Sequence, residues 1–301
     1  MSQVKYFADY AGHTVENHIQ GVPAVSPIIA ASDLSPESDL AVSRACMLAS
    51  RLKAPLIVLH TVDDQLPLMA QDKVCEEARH LLEKQLGRCP KSVGTGVQLI
   101  VEPGRVAESI LRTVSEQNAQ LLIMGRHHQG NPELFVGTTL ERVSRLSSVP
   151  VLMVATPDGD YSSALLALDF STCASEALRC AALILNGGQL HALHLCNPPL
   201  GTRLAGPAAR ETFMAEQQET LSYLLEDELE TLDMIGTPRP RAELQIQSGE
   251  VRAQLEEAIK RLQPSFIALG SHSRSSMGES LLGSLAQALL REPPCDVLVA
   301  R

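Results

Sequence analysis

Tryptophan is absent from this 301-residue chain, and the other aromatics are few, four tyrosines and five phenylalanines. A core with so few large rings must be filled by Leu, Val, Ile and Ala, the residues of helices packed on a parallel sheet. Basic residues are outnumbered, 25 Lys and Arg against 35 Asp and Glu, for a formal net charge of −10. Such a surface offers no counter-charge to a polyanion, which argues against wholesale binding to nucleic acid or an anionic membrane and leaves room for a local anion site. No run approaches the roughly 20 apolar residues of a membrane helix. The opening residues 1–20 mix acids and histidines and lack the basic start and apolar stretch of a signal peptide. The cytoplasm is therefore the expected compartment. The seven cysteines are scattered, odd in number and without a CxxC pair. Neither a disulfide framework nor a zinc ribbon is expected, and all seven read as reduced thiols.

What is present is a long internal repeat. Asp33-Leu34-Ser35-Pro36-Glu37-Ser38, after the apolar run at 28–31, is answered by Asp169-Phe170-Ser171-Thr172-Cys173-Ala174 after 165–168. In the same order, 56–60 ending in His60 matches 190–194 ending in His194, Gly104 matches Gly249, and 122–126 matches 267–271. Gly137-Thr138 matches Gly283-Ser284, and apolar runs at 151–155 and 297–300 close the two copies. A repeat this long means two homologous domains rather than a solenoid, and the length suits two domains of about 100 to 150 residues. The boundaries read as an N-terminal extension 1–23, a first domain 24–155, a linker 156–162 rich in Pro, Gly and Asp, and a second domain 163–301.

Within each copy five short β-like runs alternate with helical patterns. Strands are expected at 28–32, 56–61, 97–101, 121–124 and 151–154, and again at 163–168, 189–195, 241–247, 265–269 and 296–300. Helices fit 37–52, 67–87, 105–117 and 138–147, the first capped by Ser35, and the longest helix of the second copy spans 209–234. This alternation predicts two tandem, doubly wound, parallel five-stranded α/β domains with right-handed crossovers. The apolar closing runs would aggregate as bare edges, so the two domains are expected to pair with each other through them.

Ligands of such sheets sit beyond the carboxyl ends of strands, where successive connections leave in opposite directions. Asp33 and Asp169 end the first strands, His60-Thr61 and His194-Leu195 the second, and Gly125 and Gly270 the fourth. Gly137-Thr138 and Gly283-Ser284 open the fourth helices, whose free N–H groups and dipole suit a phosphate. Asp33 and Asp169 also have a structural reading, since aspartate caps neighbouring backbone N–H groups in a turn. His127-His128 has no ligand partner at metal spacing and reads as exposed loop, and His191 and His194 face opposite sides of one strand and cannot chelate together.

These residues, in this order and topology, resemble the universal stress protein family across both halves. The resemblance implies a strand order of 3-2-1-4-5 in each domain, an adenine-nucleotide alpha-hydrolase-like fold, and ATP as ligand, with Mg. The family's phosphate loop is glycine, two residues, glycine, nine residues, then glycine and Ser or Thr. The second copy has Gly270-Ser271-His272-Ser273, nine residues, then Gly283-Ser284, so its spacing holds but Ser273 replaces a glycine. The first has Gly125-Arg126-His127-His128 and only eight residues before Gly137-Thr138. A side chain at the second glycine crowds the backbone's approach to phosphate and disfavours positive φ, more so for His than for Ser. The second domain is therefore ranked above the first.

Carried over, Asp169 would bind ribose or adenine, Leu195 would contact adenine through its backbone, and Gly270, Ser271, His272, Ser273, Gly283 and Ser284 would hold the phosphates. Asp33, Thr61, Gly125, Arg126, Gly137 and Thr138 are the first-copy counterparts, with Arg126 placed to meet an anion. The resemblance implies a stress-response protein with a sensing or regulatory role, an unidentified protein partner and a homodimer of whole chains. Neither a Walker A loop nor a nucleophile with its base is present, so ATP hydrolysis is expected to be slow at most. The alternatives are a scaffold or a binder of another small ligand, and then an enzyme of the wider adenine-binding α/β group. Against that enzyme, the Ser-Gly-Gly loop of pyrophosphatases and an HxGH signature are both missing.

Overall fold

The computed structural model describes residues 25–87, 96–126, 138–157, 159–272 and 282–301. The first domain runs β1 (Ile28–Ala31), α1 (Pro36–Leu52), β2 (Leu56–Asp63), α2 (Leu68–Leu86), β3 (Val97–Gly104), α3 (Val106–Glu116), β4 (Leu121–Gly125), α4 (Thr139–Leu146) and β5 (Val151–Val154). The second repeats it as β6 (Ser163–Ala167), α5 (Thr172–Leu185), β7 (Gln189–Leu195), α6 (Leu200–Leu204), α7 (Pro207–Met234), β8 (Arg241–Gln247), α8 (Val251–Leu262), β9 (Phe266–Gly270), α9 (Ser284–Arg291) and β10 (Asp296–Ala300). Among the described residues, the short helix α6, packed on α7, is an element that the hydrophobic pattern did not signal.

The ten strands of the described residues form one sheet in the order β3-β2-β1-β4-β5-β10-β9-β6-β7-β8, which is 3-2-1-4-5 in each half. Within each half the strands are parallel, and the halves meet where β5 and β10 pair antiparallel, Val151 against Val299 and Met153 against Val297. The apolar edges thus cover one another, as their composition predicted. Strand residues alternate between two cores. Ile28, Ala30, Leu152 and Leu298 face one layer with α1, α5 and α7, while Ile29, Val151, Met153 and Val297 face the other with α3, α4, α8 and α9.

The linker is built into the first of these cores. Tyr161 is 2% exposed, packs edge-on against Phe266 at 4.9 Å between ring centroids, and lies under the Arg44 guanidinium. Its hydroxyl donates to Asp296 Oδ2 at 2.6 Å, and burial, with the adjacent Asp296 charge, pushes the phenol well above its ordinary range and keeps it a donor.

The cysteine reading needs one correction. Cys46, in the buried face of α1, is disulfide-bonded, while Cys75, Cys173, Cys180, Cys196 and Cys295 are free. Neither the spacing nor the odd total of cysteines could reveal one bond formed by tertiary proximity. Among the described residues no helix is long and apolar enough to cross a membrane. The N-terminal extension lies outside the described residues.

Candidate functional site

The turn after β1 is built by its own side chains. Asp33 Oδ1 accepts from the Ser35 N–H at 3.0 Å and from the Ser35 hydroxyl, and Ser35 Oγ in turn accepts from Ser38 N as the N-cap of α1. The second copy repeats this at Asp169, Ser171 and Ala174. The residue after each aspartate, Leu34 and Phe170, is held at positive φ, 65° and 55°. Non-glycine residues adopt that conformation at a cost, which the aspartate's hydrogen bonds offset. Both aspartates therefore have a structural task.

Burial alone would raise the Asp33 carboxyl, but hydrogen bonds from the Ser35 side chain and backbone and from Ser38 outweigh it and hold it below the ordinary carboxylate range. A depressed carboxylate contributes stability above its unfolded pKa and loses it as pH falls through its folded one. The stability gap between the parent and Asp33→Asn is accordingly expected to shrink on acidification through the carboxylate range, as followed by urea unfolding at a series of pH values. A gap that widened in acid would contradict the hydrogen-bond assignment.

The glycines ending β4 and β9 also have a packing role. A Cβ on Gly125 would lie 2.6 Å from Glu37 O and 2.8 Å from Ser38 N, and one on Gly270 would lie 2.8 Å from Cys173 Cβ. The strand ends run against the first turns of α1 and α5, and only glycine permits that approach. Gly283, by contrast, is the N-cap of α9 at φ −60°, with its N–H on Ser271 O at 2.8 Å.

Above this floor the first domain has a cavity of about 310 Å³, near the lower end for small-molecule sites. It lies across the ends of β1, β2 and β4, the switch point of the sheet, and brings together Asp33, Thr61, Gly125 and Arg126. Ser32, Ser35, Ser38, His60 and Thr139 add polar groups, and Val106, Ile110 and Leu140 an apolar wall. The sequence reading missed this lining, although the repeat of His60 as His194 was a signal. His60 Nδ1 lies 2.8 Å from Ser32 O and His194 Nδ1 2.7 Å from Leu168 O. A carbonyl only accepts, so Nδ1 carries the proton and Nε2 is the acceptor of the neutral ring. Thr61 Oγ1 is buried and has no hydrogen-bond partner among the described residues.

Thr138 caps α4 beside the cavity in a reciprocal capping box with Glu141. In the second domain, Asp169 and Leu195 stand at the ends of β6 and β7, Gly270 closes β9, and Ser284 opens α9. Ser271 is fully buried, with its N–H on Ala300 O at 2.6 Å and its hydroxyl on Cys173 Sγ at 3.9 Å and His272 Nδ1 at 2.8 Å. At aligned positions the second domain has Leu168 for Ser32, Ala174 for Ser38, Leu195 for Thr61 and Ser271 for Arg126, a less polar set. Gly137 and Ser273 lie outside the described residues, as do His127 and His128.

The fold and site define a class, a tandem pair of doubly wound α/β domains joined through their fifth strands, with a cavity at the switch point of the first. The chain belongs to the universal stress protein family, whose model matches residues 25–155 and 160–301. A universal stress protein of Mycolicibacterium smegmatis is 28% identical, with the match covering 91% of this chain and 96% of that protein. Among solved structures, a universal stress protein from Archaeoglobus fulgidus superposes with a TM-score of 0.67 at 20% identity, over 91% of this chain and 98% of its own. One from Pseudomonas aeruginosa described as a putative universal stress protein gives 0.61 at 18% identity, over 92% and 93%.

Proposed function

We propose that this member of the family is a cytoplasmic sensing or regulatory protein that binds ATP or a related adenine nucleotide at the switch points of its domains. The observation that carries the reading is the first-domain cavity, where the Thr61 hydroxyl, without a hydrogen-bond partner among the described residues, the Asp33 carboxylate and the exposed Arg126 converge at a switch point of the sheet. Thr61 and His60 suit the edges of a base or sugar, and Arg126 suits a phosphate, replacing with charge what the shortened glycine loop lacks. The second domain offers the phosphate loop of correct spacing and the N-terminus of α9 at Ser284, which has no side-chain cap among the described residues. Any magnesium would be held mainly by phosphate and water oxygens, as is usual for that ion.

Gly283→Val is a poor probe of the second site, because a side chain there already presses on Ser271 O at 3.2 Å. Charge reversal on exposed positions leaves the fold alone. Arg126→Glu removes the cation of the first site, and Ser284→Glu places a carboxylate in the first turn of α9, which favours the helix while repelling phosphate. In titration calorimetry with ATP, one of the two variants is expected to weaken binding at least tenfold, and which one does so assigns the site. The packing tasks of Gly125, Gly270, Asp33 and Asp169 favour a second reading, a scaffold that keeps the crevices only as architecture. Absence of nucleotide both from the purified protein and after ATP addition would establish that reading instead.

A further inference from the structure

Among the described residues the sheet ends at β3 and β8, and β8 is the less guarded edge. Arg241 N donates to Gly188 O and Cys196 N to Gln247 O, so the odd-numbered residues of β8 turn their backbone groups toward β7. Alternation then turns those of Ala242, Leu244 and Ile246 outward. The same alternation on β3, set by Leu56 N on Gly96 O, makes Pro103 an outward residue with no N–H to offer. Strand β8 has neither proline nor lysine, the residues that commonly protect an edge.

Beside this edge lies a groove of about 670 Å³ between β8 and α7. Its lining includes Leu225 and Leu229 of α7 with Ala242 and Leu244 of β8, an apolar floor, and the Ser222 and Glu226 side of the helix. Glu226 is already paired with Arg239 at 2.6 Å. An extended segment that bonds to the outward backbone groups and lays an apolar side chain on that floor completes both the sheet and the groove.

Strand β8 of a second copy is such a segment. In a twofold antiparallel pairing centred on Leu244, this residue lies opposite its own copy, Ala242 opposite Ile246, Glu243 opposite Gln245 and Arg241 opposite Gln247. The strand pairs along its full length and no like charges face each other. Centring on Glu243 would set that carboxylate against itself, which is unfavourable, and centring on Ala242 would bring Pro240 into the ladder. A twofold axis normal to the sheet keeps Ala242 and Leu244, which pack on the α7 layer, on the same face in both copies. Leu244 of each copy then falls over the groove floor of the other.

We propose that β8 is a self-pairing edge, through which two copies of the chain join antiparallel with Leu244 of each seated in the other's groove. The join repeats between copies the antiparallel pairing by which β5 and β10 unite the two halves. It uses no residue of the first-domain cavity and does not depend on nucleotide binding.

Sedimentation of the full chain across a dilution series tests this, and a dimer is expected. Gln245→Glu puts a carboxylate opposite Glu243 of the second copy, twice per dimer, and should weaken dimerisation about tenfold. Arg261, which donates to Gln245 Oε1, remains its partner within each chain, so the fold is kept. Adding Glu243→Lys turns both repulsions into attractions and should restore the parent affinity or better. A monomer at every concentration would overturn the proposal and leave the groove to an extended segment of another protein. A dimer indifferent to Gln245→Glu, or a weakened one that Glu243→Lys does not rescue, would overturn it as well, since either places the contact elsewhere.

Discussion

Replacing Asp296 with alanine is expected to lower the unfolding free energy by about 3–5 kcal/mol, the cost of leaving a buried partner charge uncompensated. Asp296 is fully buried and pairs with Arg44 at 2.9 Å, the Arg44 side chain being only 6% exposed. Its Oδ1 accepts from the N–H groups of Ala155 and Thr156 at 2.8 and 3.0 Å and from the Thr156 hydroxyl at 2.9 Å, while Oδ2 also takes the Tyr161 hydroxyl. One carboxylate thus joins a helix of the first domain, both ends of the linker and the last strand of the second. Alanine would strand the Arg44 charge and several linker donors together, in a low-dielectric space where unmet polar groups are most costly. Asp160→Ala is the matched control, because its ion pair with Arg51 has an aspartate 80% exposed, and exposed pairs contribute less than about 1 kcal/mol. Urea unfolding of the two variants gives the comparison. Equal effects would mean that the buried cluster is not what locks the halves.

Gly125→Ala and Gly270→Ala are expected to destabilise by about 1–3 kcal/mol or more, the range for overpacking, but only one of them can be relieved. On Gly125 the obstacles are backbone atoms of Glu37 and Ser38, whereas on Gly270 the nearest is the Cys173 side-chain Cβ. Cys173→Gly removes that atom, at about 1 kcal/mol for glycine in a helix. The pair Gly270→Ala with Cys173→Gly should therefore be less destabilised than the sum of its parts by more than about 0.5 kcal/mol. The pair Gly125→Ala with Glu37→Gly should be merely additive, since the Glu37 carbonyl remains. Thermal or urea unfolding of the two double-mutant cycles checks this, and coupling in both or in neither would refute the packing account. The result also bears on the proposed function, in which these glycines would begin the phosphate loops.

The fold was legible in the sequence because its signals are local or repeated. Apolar runs of strand length, helical periodicity, the Ser35 and Ser171 caps and the two-fold recurrence of Asp, His and Gly are set by residues near one another in the chain. They determine the two doubly wound domains and carry the resemblance to the family, which in turn implied the strand order. The apolar 151–155 and 297–300 segments also fixed where the domains join, since bare edges of that composition must be covered. Less followed about the site. The loop motif ranked the second domain first, and residues 273–281 of that loop lie outside the described residues; the cavity at the first domain's switch point, lined by Ser32, Ser38, Thr61 and Arg126 from the ends of three strands and from a helix, was not read from the sequence. The Arg44, Asp296 and Tyr161 cluster and the Cys46 disulfide were likewise decided only by tertiary structure. Each depends on side chains or strands far apart in the chain, and sequence patterns record the period of an element but not which distant residues its packing brings within reach.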